Sequence, residues 1–440
     1  MPRNKTQALF AVLALFVIVA HLFYLWGVRT VVPHQDEWML LSDMFKAIDA
    51  HRVTAWLFGS HNGHFVLPAR LAYLLALNCF SLNLEPLRLL NFPICLGTFL
   101  LTAHVINLHI RQRFLRFYLY LGTCFVVFNL CVWEYFSQGG GFTAMLSALF
   151  GGIGLYYIAS STQPELNRGK NVALGIAWIL ASILSFGFGY PAVGAALGLL
   201  MIVTFKLYIP AHLKRALPYV AGSMLGALGL VAIASHPVFN LGPRIFANVF
   251  HFLLVAGSIG AFPFDAGEMA LNAGYFFGLI LFGLIMWTTY DFVLHQPARP
   301  RLLPVFSVGL VLFGLFGCGA VAAGRWMLPV GEFLSPRYTV CPSICLLGSL
   351  LYLAQARIFL LANVWCLVAI GYLLSSVKEQ QVGRYRPAVY QAIENAMRNV
   401  DALSDEQLRS TMYFRENTEA IRRVAKRFRK DRLNIFHDKP

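Results

Sequence analysis

Apolar stretches of roughly 18 to 22 residues, the length of helix that spans ~30 Å of hydrocarbon, recur along this chain. Only 12% of its 440 residues are charged, about half the proportion usual in soluble domains. The long apolar runs are incompatible with a single soluble core. They are also incompatible with a membrane β-barrel, whose strands alternate between apolar and polar residues. The chain is therefore predicted to cross a membrane several times as helices.

The predicted fold is an all-α integral membrane protein, a polytopic bundle of about eleven transmembrane helices. Its transmembrane domain covers 1–375 and includes a long first loop, 28–89, that contains amphipathic helices, one of them predicted over about 38–50. A short, basic, helical C-terminal tail covers 376–440. In the tail, Ser404 to Gln407 fits a capping box that opens a helix, and the basic run 422–432 is predicted to continue that helix. The stretch 245–262 could be a twelfth span or an interfacial helix, and the pattern leaves both open. The predicted spans are 8–27, 90–110, 114–132, 142–160, 172–188, 190–208, 217–235, 271–291, 303–323, 341–356 and 358–375.

The orientation follows from the lysines and arginines of the short loops, which favour the cytoplasmic side. This rule places the N-terminus inside and the first loop outside, and an odd number of spans then places the tail outside. The first apolar run lacks a small-residue cleavage site after it, so it is predicted to remain as an uncleaved helix. The net charge of +15 is attributed to segments beside anionic lipid. Nucleic acid is not an expected partner, because no motif that reads it accompanies the charge.

The first outer loop opens with the sequence HQDEW at residues 34–38. Asp36 and Glu37 are adjacent acids close to the membrane, and His34 flanks them. Adjacent acids on irregular backbone can act on one substrate, one as a general base and the other as a ligand of a metal or a sugar. We predict Asp36 and Glu37 as catalytic residues and His34 as substrate-binding. The alternative is a solvated loop whose acids have no substrate.

Three more candidates lie further along the same loop. His61, His64 and Arg70 fall within ten residues, around the start of a helix predicted near Val66. A helix N-terminus with histidine and arginine nearby is suited to phosphate, so these residues are predicted to bind substrate. Two histidines with a nearby acid could instead hold a divalent metal, or the segment could be an ordinary interfacial helix.

Glu134 marks the outer end of the third predicted span. A carboxylate at that depth is costly unless it is paired, and Glu134 is predicted to bind substrate. The glycines 139–141 that follow allow the backbone to bend or to approach a ligand closely. A bare helix end is the alternative interpretation.

The turn at 324–340 carries Arg325, Arg337 and Tyr338. Arginine binds phosphate through two parallel hydrogen bonds. These arginines lie on the outer side of the membrane, where basic residues are disfavoured. Their presence there therefore favours a phosphate-binding function. We predict that the three residues bind a phosphorylated lipid, whereas snorkelling to bulk lipid phosphates is the alternative.

Together these motifs resemble the GT-C class of polytopic glycosyltransferases. The resemblance rests on an N-terminal span followed by an outer loop that opens with HQDEW, on the HNGHFVLPARL stretch, and on the SPRYTV turn, where Pro336 precedes Arg337. It covers the layout of residues 1–375. The chain lacks the large soluble C-terminal domain of the bigger members of the class, so the resemblance does not indicate the acceptor.

The resemblance implies a multi-pass protein of the bacterial inner membrane with its active site on the periplasmic side. It implies a polyprenyl-phosphate sugar as donor, transfer with inversion, Asp36 as general base and Glu37 as the neighbouring acid. The acceptor could be a glycan, a lipid or a protein such as a pilin. No cofactor is required by the pattern, although Asp36, Glu37 and His64 could hold a divalent cation.

Other functions remain open at this stage. A transporter or flippase of lipid-linked sugars would carry polar residues on broken helices in mid-membrane, whereas the predicted spans are nearly free of charge there. A glycan ligase or polymerase would share the donor and the outer arginines but would use a large late loop, and here the long loop comes first. A purely structural subunit would not explain acids and arginines on one side.

Overall fold

The computed structural model of the protein describes residues 3–61, 63–163, 166–208, 241–264, 267–297, 301–325, 327–356, 358–412 and 417–437. These residues are helical apart from turns and one antiparallel bridge between His61 and His64. The helices are α1 (Arg3–Val28), α2 (Glu37–Asp49), α3 (Val53–Phe58), α4 (Leu67–Phe80), α5 (Glu85–Leu89), α6 (Asn91–His109), α7 (Arg113–Val127), α8 (Trp133–Ser137), α9 (Phe142–Ser160), α10 (Arg168–Ser185), α11 (Gly189–Tyr208), α12 (Leu241–Ala261), α13 (Glu268–His295), α14 (Leu302–Gly324), α15 (Val340–Ala356), α16 (Ile358–Gly383), α17 (Arg386–Arg398), α18 (Asp405–Thr411) and α19 (Thr418–Lys430).

Within the described residues, 9 helical segments are long and apolar enough to cross a membrane. This agrees with the prediction of a multi-pass helical membrane protein, and each segment matches one of the predicted spans. The segments are Lys5–Val28, Glu85–His109, Arg113–Ser137, Phe142–Ser160, Gly189–Lys206, Glu268–His295, Leu302–Gly324, Pro336–Gln355 and Leu360–Gly383.

Two predicted spans do not appear in this set. The span at 172–188 corresponds to α10, a helix of 18 residues that begins with the basic residues Arg168 and Lys170 and is less apolar than the others. The span at 217–235 lies outside the described residues. The stretch 245–262, for which the sequence leaves open a twelfth span and an interfacial helix, lies in α12, a helix of 21 residues.

Small residues let the membrane helices approach one another closely. A Cβ atom on Gly257 of α12 would collide with the backbone of α13 at Gly274, and one on Gly348 of α15 would lie 2.6 Å from the Ser307 carbonyl oxygen of α14. Close approach of this kind increases van der Waals contact, which is a main force holding helices together where lipid surrounds them.

The first loop and the C-terminal tail share a second hydrophobic core at one end of the bundle. Trp38 and Leu41 of α2 are fully buried in this core, together with Ile421 and Phe428 of α19. We call the unit formed by α2–α5 and α17–α19 the cap. Burying these side chains removes apolar surface from water, which is the main driving force for such packing. The tail therefore lies at the same end of the bundle as the first loop.

Polar contacts join the two parts of the cap. Arg427 of α19 forms a salt bridge of 2.8 Å with Asp49 of α2. The Asn434 side chain donates hydrogen bonds to the carbonyl oxygens of Val31 and Leu82, at 2.6 and 2.7 Å. These contacts connect residues that are some 350 or more positions apart in the sequence.

The tail contains one confirmed sequence prediction and one that is wrong. The capping box predicted from Ser404 to Gln407 is present at the start of α18. The same helix was expected to continue through the basic run 422–432. Instead the run belongs to a separate helix, because the Asn417 side chain accepts a hydrogen bond from Ala420 N and caps a new N-terminus before Thr418.

Candidate active site

Glu37 is held by four hydrogen bonds at the base of the cap. Its Oε1 accepts from the Tyr73 hydroxyl at 2.8 Å and from Gly139 N at 2.7 Å. Its Oε2 accepts from His34 N at 2.8 Å and from Arg88 Nη2 at 3.0 Å. A buried carboxylate is stable only when it is paired and hydrogen-bonded in this way. Both oxygens are engaged, so this geometry gives Glu37 the role of positioning the motif around it.

Arg88, the ion-pair partner of Glu37, forms hydrogen bonds to three separate segments of the chain. It is 1% exposed, and its guanidinium donates to the carbonyl oxygens of Thr30, Val32 and Ser137 as well as to Glu37. The fork of donors on arginine allows one side chain to satisfy several acceptors at once. Arg88 thereby joins the end of α1, the HQDEW segment and the end of α8. The sequence predictions missed it, because a single arginine in the EPLRLL stretch has no motif around it.

Of the glycines after α8, Gly139 closely approaches Glu37 and Gly140 closely approaches Tyr73. A Cβ atom on Gly139 would lie 2.8 Å from Glu37 Oε1, and one on Gly140 would lie 2.8 Å from the Tyr73 hydroxyl oxygen. Tyr73 is fully buried, and burial together with the Glu37 charge raises its pKa well above the ordinary value. Tyr73 therefore remains a hydrogen-bond donor across the physiological pH range.

Asp36 lies beside this fixed carboxylate and faces a cavity of about 290 Å³, which we call the first cavity. Its side chain is half-buried. The carboxylate does not cap α2, and the described part of the chain contains no other hydrogen bond to it. A partly exposed carboxylate without an internal donor is able to accept a proton from a bound hydroxyl group.

The bridge between His61 and His64 puts both residues on the wall of the first cavity. Gly63 between them has φ +82, a conformation that a glycine adopts readily. The His64 ring packs edge-on against Phe186, with the ring centroids 4.4 Å apart. Burial lowers the pKa of His61 below its ordinary value despite the opposing Asp36 charge. His61 is therefore neutral at pH 7 and adds no positive charge to the cavity.

The turn after α14 supplies the arginines of the first cavity. Arg325 is exposed at the C-terminus of α14, and Arg337 and Tyr338 lie on the following 3₁₀ turn. All three line the cavity with Asp36. The Tyr338 hydroxyl is buried and has no hydrogen-bond partner in the described part of the chain. Buried polar atoms normally have partners, so this corner is suited to a polar ligand.

Glu134 stands behind Arg337 rather than on the cavity wall. Its Oε2 lies 3.9 Å from Arg337 Nε and accepts a hydrogen bond from the Ser335 hydroxyl at 3.1 Å. Glu134 is therefore paired, as its depth in the membrane requires. It orients the Arg337 side chain from the side away from the cavity.

Besides Glu134, two predicted site residues do not line the first cavity. The Arg70 guanidinium donates to the carbonyl oxygens of Trp56 and Gly59 and does not line the first cavity. His34 faces a different cavity, on the other side of the HQDEW motif. The remaining predicted residues, Asp36, Glu37, His61, His64, Arg325, Arg337 and Tyr338, all line the first cavity.

The rest of the wall is largely apolar, apart from Gln138 and Thr143, and comes from α2, α4, residues 135–143, α11, α14 and the turn before α11. Phe186 and Phe188 of that turn, Pro191 of α11 and Gly317 of α14 line the cavity. The sequence pattern of the turn was too weak to predict this role. No group of three histidine, cysteine or acidic side chains positioned to hold a metal ion is present among the residues that the structure describes.

No protein-family model, curated protein or solved structure matches this chain.

Proposed function

We propose that this protein is a membrane glycosyltransferase that moves a sugar from a polyprenyl-phosphate donor to an acceptor of the cell envelope. The proposal includes an eleven-span topology in the bacterial inner membrane, with the cap on the periplasmic side. It also includes transfer of the GT-C type, with inversion at the sugar carbon. The acceptor is a glycan, a lipid or a protein.

One observation carries the proposal. Asp36, Arg325 and Arg337 face one cavity although they come from stretches about 290 to 300 positions apart in the sequence. A carboxylate for proton removal and guanidinium groups for phosphate are the two requirements of transfer from a phosphate-linked sugar. The cavity contains both, at the membrane end of the cap.

The first cavity is suited to the head of the donor rather than to the whole molecule. Its volume of about 290 Å³ is at the lower end of the range for small-molecule sites. Its apolar wall from α11 and α14 continues into helices that face lipid, where Leu197 of α11 is 58% exposed. A prenyl chain can lie along that surface while its phosphate reaches the arginines.

The reaction follows from these positions. Asp36 accepts the proton of the acceptor hydroxyl as the hydroxyl oxygen forms a bond to the anomeric carbon of the sugar. The bond between that carbon and the phosphate oxygen breaks, and polyprenyl phosphate leaves with both electrons of the bond. Arg337 and Arg325 stabilise the negative charge that develops on the leaving phosphate. Attack from the side opposite the phosphate inverts the anomeric carbon.

Substitution of Asp36 tests the catalytic part of the proposal. Asp36→Asn keeps the size of the side chain and removes its ability to accept a proton, so transfer should be lost while the protein still inserts. The assay is mass spectrometry of envelope glycans, glycolipids and glycoproteins from a deletion strain complemented with each variant. Asp43→Asn is the matched control, because Asp43 also lies on α2 and its side chain is 40% exposed. Near-normal transfer by Asp36→Asn would contradict the proposal.

Binding of farnesyl phosphate, a short soluble analogue of the donor lipid, tests the phosphate site. Removing one charged hydrogen bond costs about 1.5–3 kcal/mol, so Arg337→Ala should bind this probe roughly 10- to 100-fold more weakly. Arg113→Ala is the control, since Arg113 is an exposed arginine at the start of α7. Equal affinity of Arg337→Ala and the unsubstituted protein would argue against a phosphate role.

A further inference from the structure

A second cavity, of about 480 Å³, lies on the other side of the HQDEW motif. His34 and Gln35 line one side of it, and Trp133 of α8 lines another. The remaining wall comes from the end of α16 and the start of the tail, including Tyr385 and Tyr390. This cavity has no part in the donor site described above.

One pair of side chains separates the two cavities. Gln138 lines the first cavity and donates a hydrogen bond from its side-chain amide to the Gln35 side chain, which lines the second. Gln35 has φ +52, a left-handed conformation that is uncommon for a residue other than glycine. Through this turn, consecutive residues open onto different cavities: Gln35 onto the second and Asp36 onto the first.

Two arginines line the second cavity, and one of them, Arg384, lies over the Tyr385 ring at 4.8 Å from its centroid. The guanidinium of the other, Arg386, is buried, is neutralised by Glu379 at 2.5 Å and stacks 3.9 Å above the Trp133 ring. The aromatic rings of Trp133, Tyr385 and Tyr390 supply apolar faces, and Gln35 and Gln381 supply amide groups. Aromatic faces next to amides recognise flat apolar faces and hydroxyl groups in the same ligand.

Arg386 and Tyr390 form a polar edge of this cavity. Both residues line it and are 7% exposed. Their side chains are hydrogen-bonded to each other, so the pair presents a fixed polar edge to a bound molecule.

We infer that the second cavity binds the acceptor as a neutral sugar ring, with one hydroxyl group directed past Gln35 and Gln138 toward Asp36. The inference rests on the proposed function, because it assigns the donor head to the first cavity. A transferase must bring two substrates to one base, and the consecutive residues Gln35 and Asp36 line the second and the first cavity. The guanidinium groups of the first cavity are suited to a phosphate. The second cavity has aromatic and amide groups, the neutralised Arg386, and Arg384, whose guanidinium stacks on the Tyr385 ring.

The inference gives the tail a direct role in the site. Tyr385, Arg386 and Tyr390 all lie at or just after the end of α16, and the hydrophobic core shared with the first loop holds Tyr390 in place. The tail would therefore contribute directly to acceptor binding.

Saturation-transfer NMR on the full-length protein in nanodiscs tests the inference. The probes are methyl glycosides of the common neutral hexoses and N-acetylhexosamines, and at least one of them should show contact with the protein. Tyr385→Ala should weaken that binding by about fivefold, the loss expected for one aromatic contact. Tyr385 is 60% exposed, so its removal leaves folding intact. Tyr290→Ala is the matched control, because Tyr290 is a 46% exposed tyrosine distant from both cavities.

The outcomes separate this inference from the proposed function. Absence of binding by every glycoside, or equal binding by Tyr385→Ala and the unsubstituted protein, would overturn the acceptor assignment. Arg337→Ala should leave glycoside binding unchanged and weaken only farnesyl phosphate. If Arg337→Ala binds farnesyl phosphate as well as the unsubstituted protein does, while Tyr385→Ala still weakens glycoside binding, the donor site is overturned. The second cavity then remains as a sugar-binding site.

Discussion

Arg88 Nη2 lies 3.0 Å from Glu37 Oε2, and both side chains are 1% exposed. This buried salt bridge fixes the residue next to Asp36 while leaving Asp36 itself on the wall of the first cavity. Adjacent acids of one motif thus have different environments: Glu37 is enclosed by four donors, and Asp36 faces open space. A rigid neighbour of this kind holds a catalytic group in place without engaging its reactive atoms.

Glu37→Gln should destabilise the protein strongly, because it leaves the Arg88 charge buried without a partner. Breaking a buried ion pair costs about 3–5 kcal/mol. The free energy of unfolding, from denaturant titration of the detergent-solubilised protein, measures the effect. Glu85→Gln is the control, since Glu85 pairs with Arg29 at 3.6 Å while its side chain is 34% exposed, and it should lose less than about 1 kcal/mol. Equal losses for the two variants would show that the buried pair is not the main support of the motif.

Gly139→Ala should impair transfer although residue 139 does not touch substrate. The added Cβ atom would lie 2.8 Å from Glu37 Oε1, so the hydrogen bond between Gly139 N and Glu37 must lengthen. Overpacking of this kind costs roughly 1–3 kcal/mol. Activity and thermal stability should fall together. Gly331→Ala is the matched control, because a Cβ atom there meets nothing within 4 Å; a loss of the same size in that variant would refute the steric explanation.

The stability of the cap should fall in acid because His34 is buried. Burial, assisted by the charges of Arg88 and Arg386, lowers the pKa of His34 to about 3. In the unfolded chain this pKa is about 6.5, so between these values only the unfolded state binds the proton. Stability is therefore complete above pH 6.5 and decreases by about 1.4 kcal/mol per pH unit below it. His34→Gln should reduce this slope in unfolding titrations at pH 5 to 7, and an unchanged slope would exclude His34 as its source.

Phe428→Ala should loosen the first loop, although the two are more than 300 positions apart in the sequence. Phe428 is fully buried and packs edge-on against Phe45 of α2, with the ring centroids 6.0 Å apart. Removing a buried phenylalanine costs about 3–5 kcal/mol. Limited proteolysis should then cut within 28–89 at a faster rate. Phe16→Ala, at a phenylalanine that is 67% exposed on α1, should leave the cleavage rate unchanged, and equal rates for all three proteins would contradict the shared core.

The local pattern of apolar and polar residues was sufficient to predict much of the helical structure. The helix predicted over about 38–50 is α2, and the one predicted near Val66 begins at Leu67. Length and polarity are properties of a continuous segment, so the apolar runs alone predict most of the described membrane helices. The separate helix at Thr418 was missed because its N-cap, Asn417, lies in a polar stretch before the basic run, where no apolar pattern marks a break between helices.

The residues themselves determined which chemical groups were available: adjacent acids after the first span, two histidines in the loop, and arginines before a late span. Tertiary structure decided which of them meet. It joined Asp36 to Arg325 and Arg337, engaged Arg70 with backbone carbonyls, enclosed Glu37 with Arg88 and packed the tail onto the first loop. The physical reason is that the free energy of pairing a buried charge or filling a core depends on atoms brought together from distant parts of the chain, and no local pattern encodes that proximity.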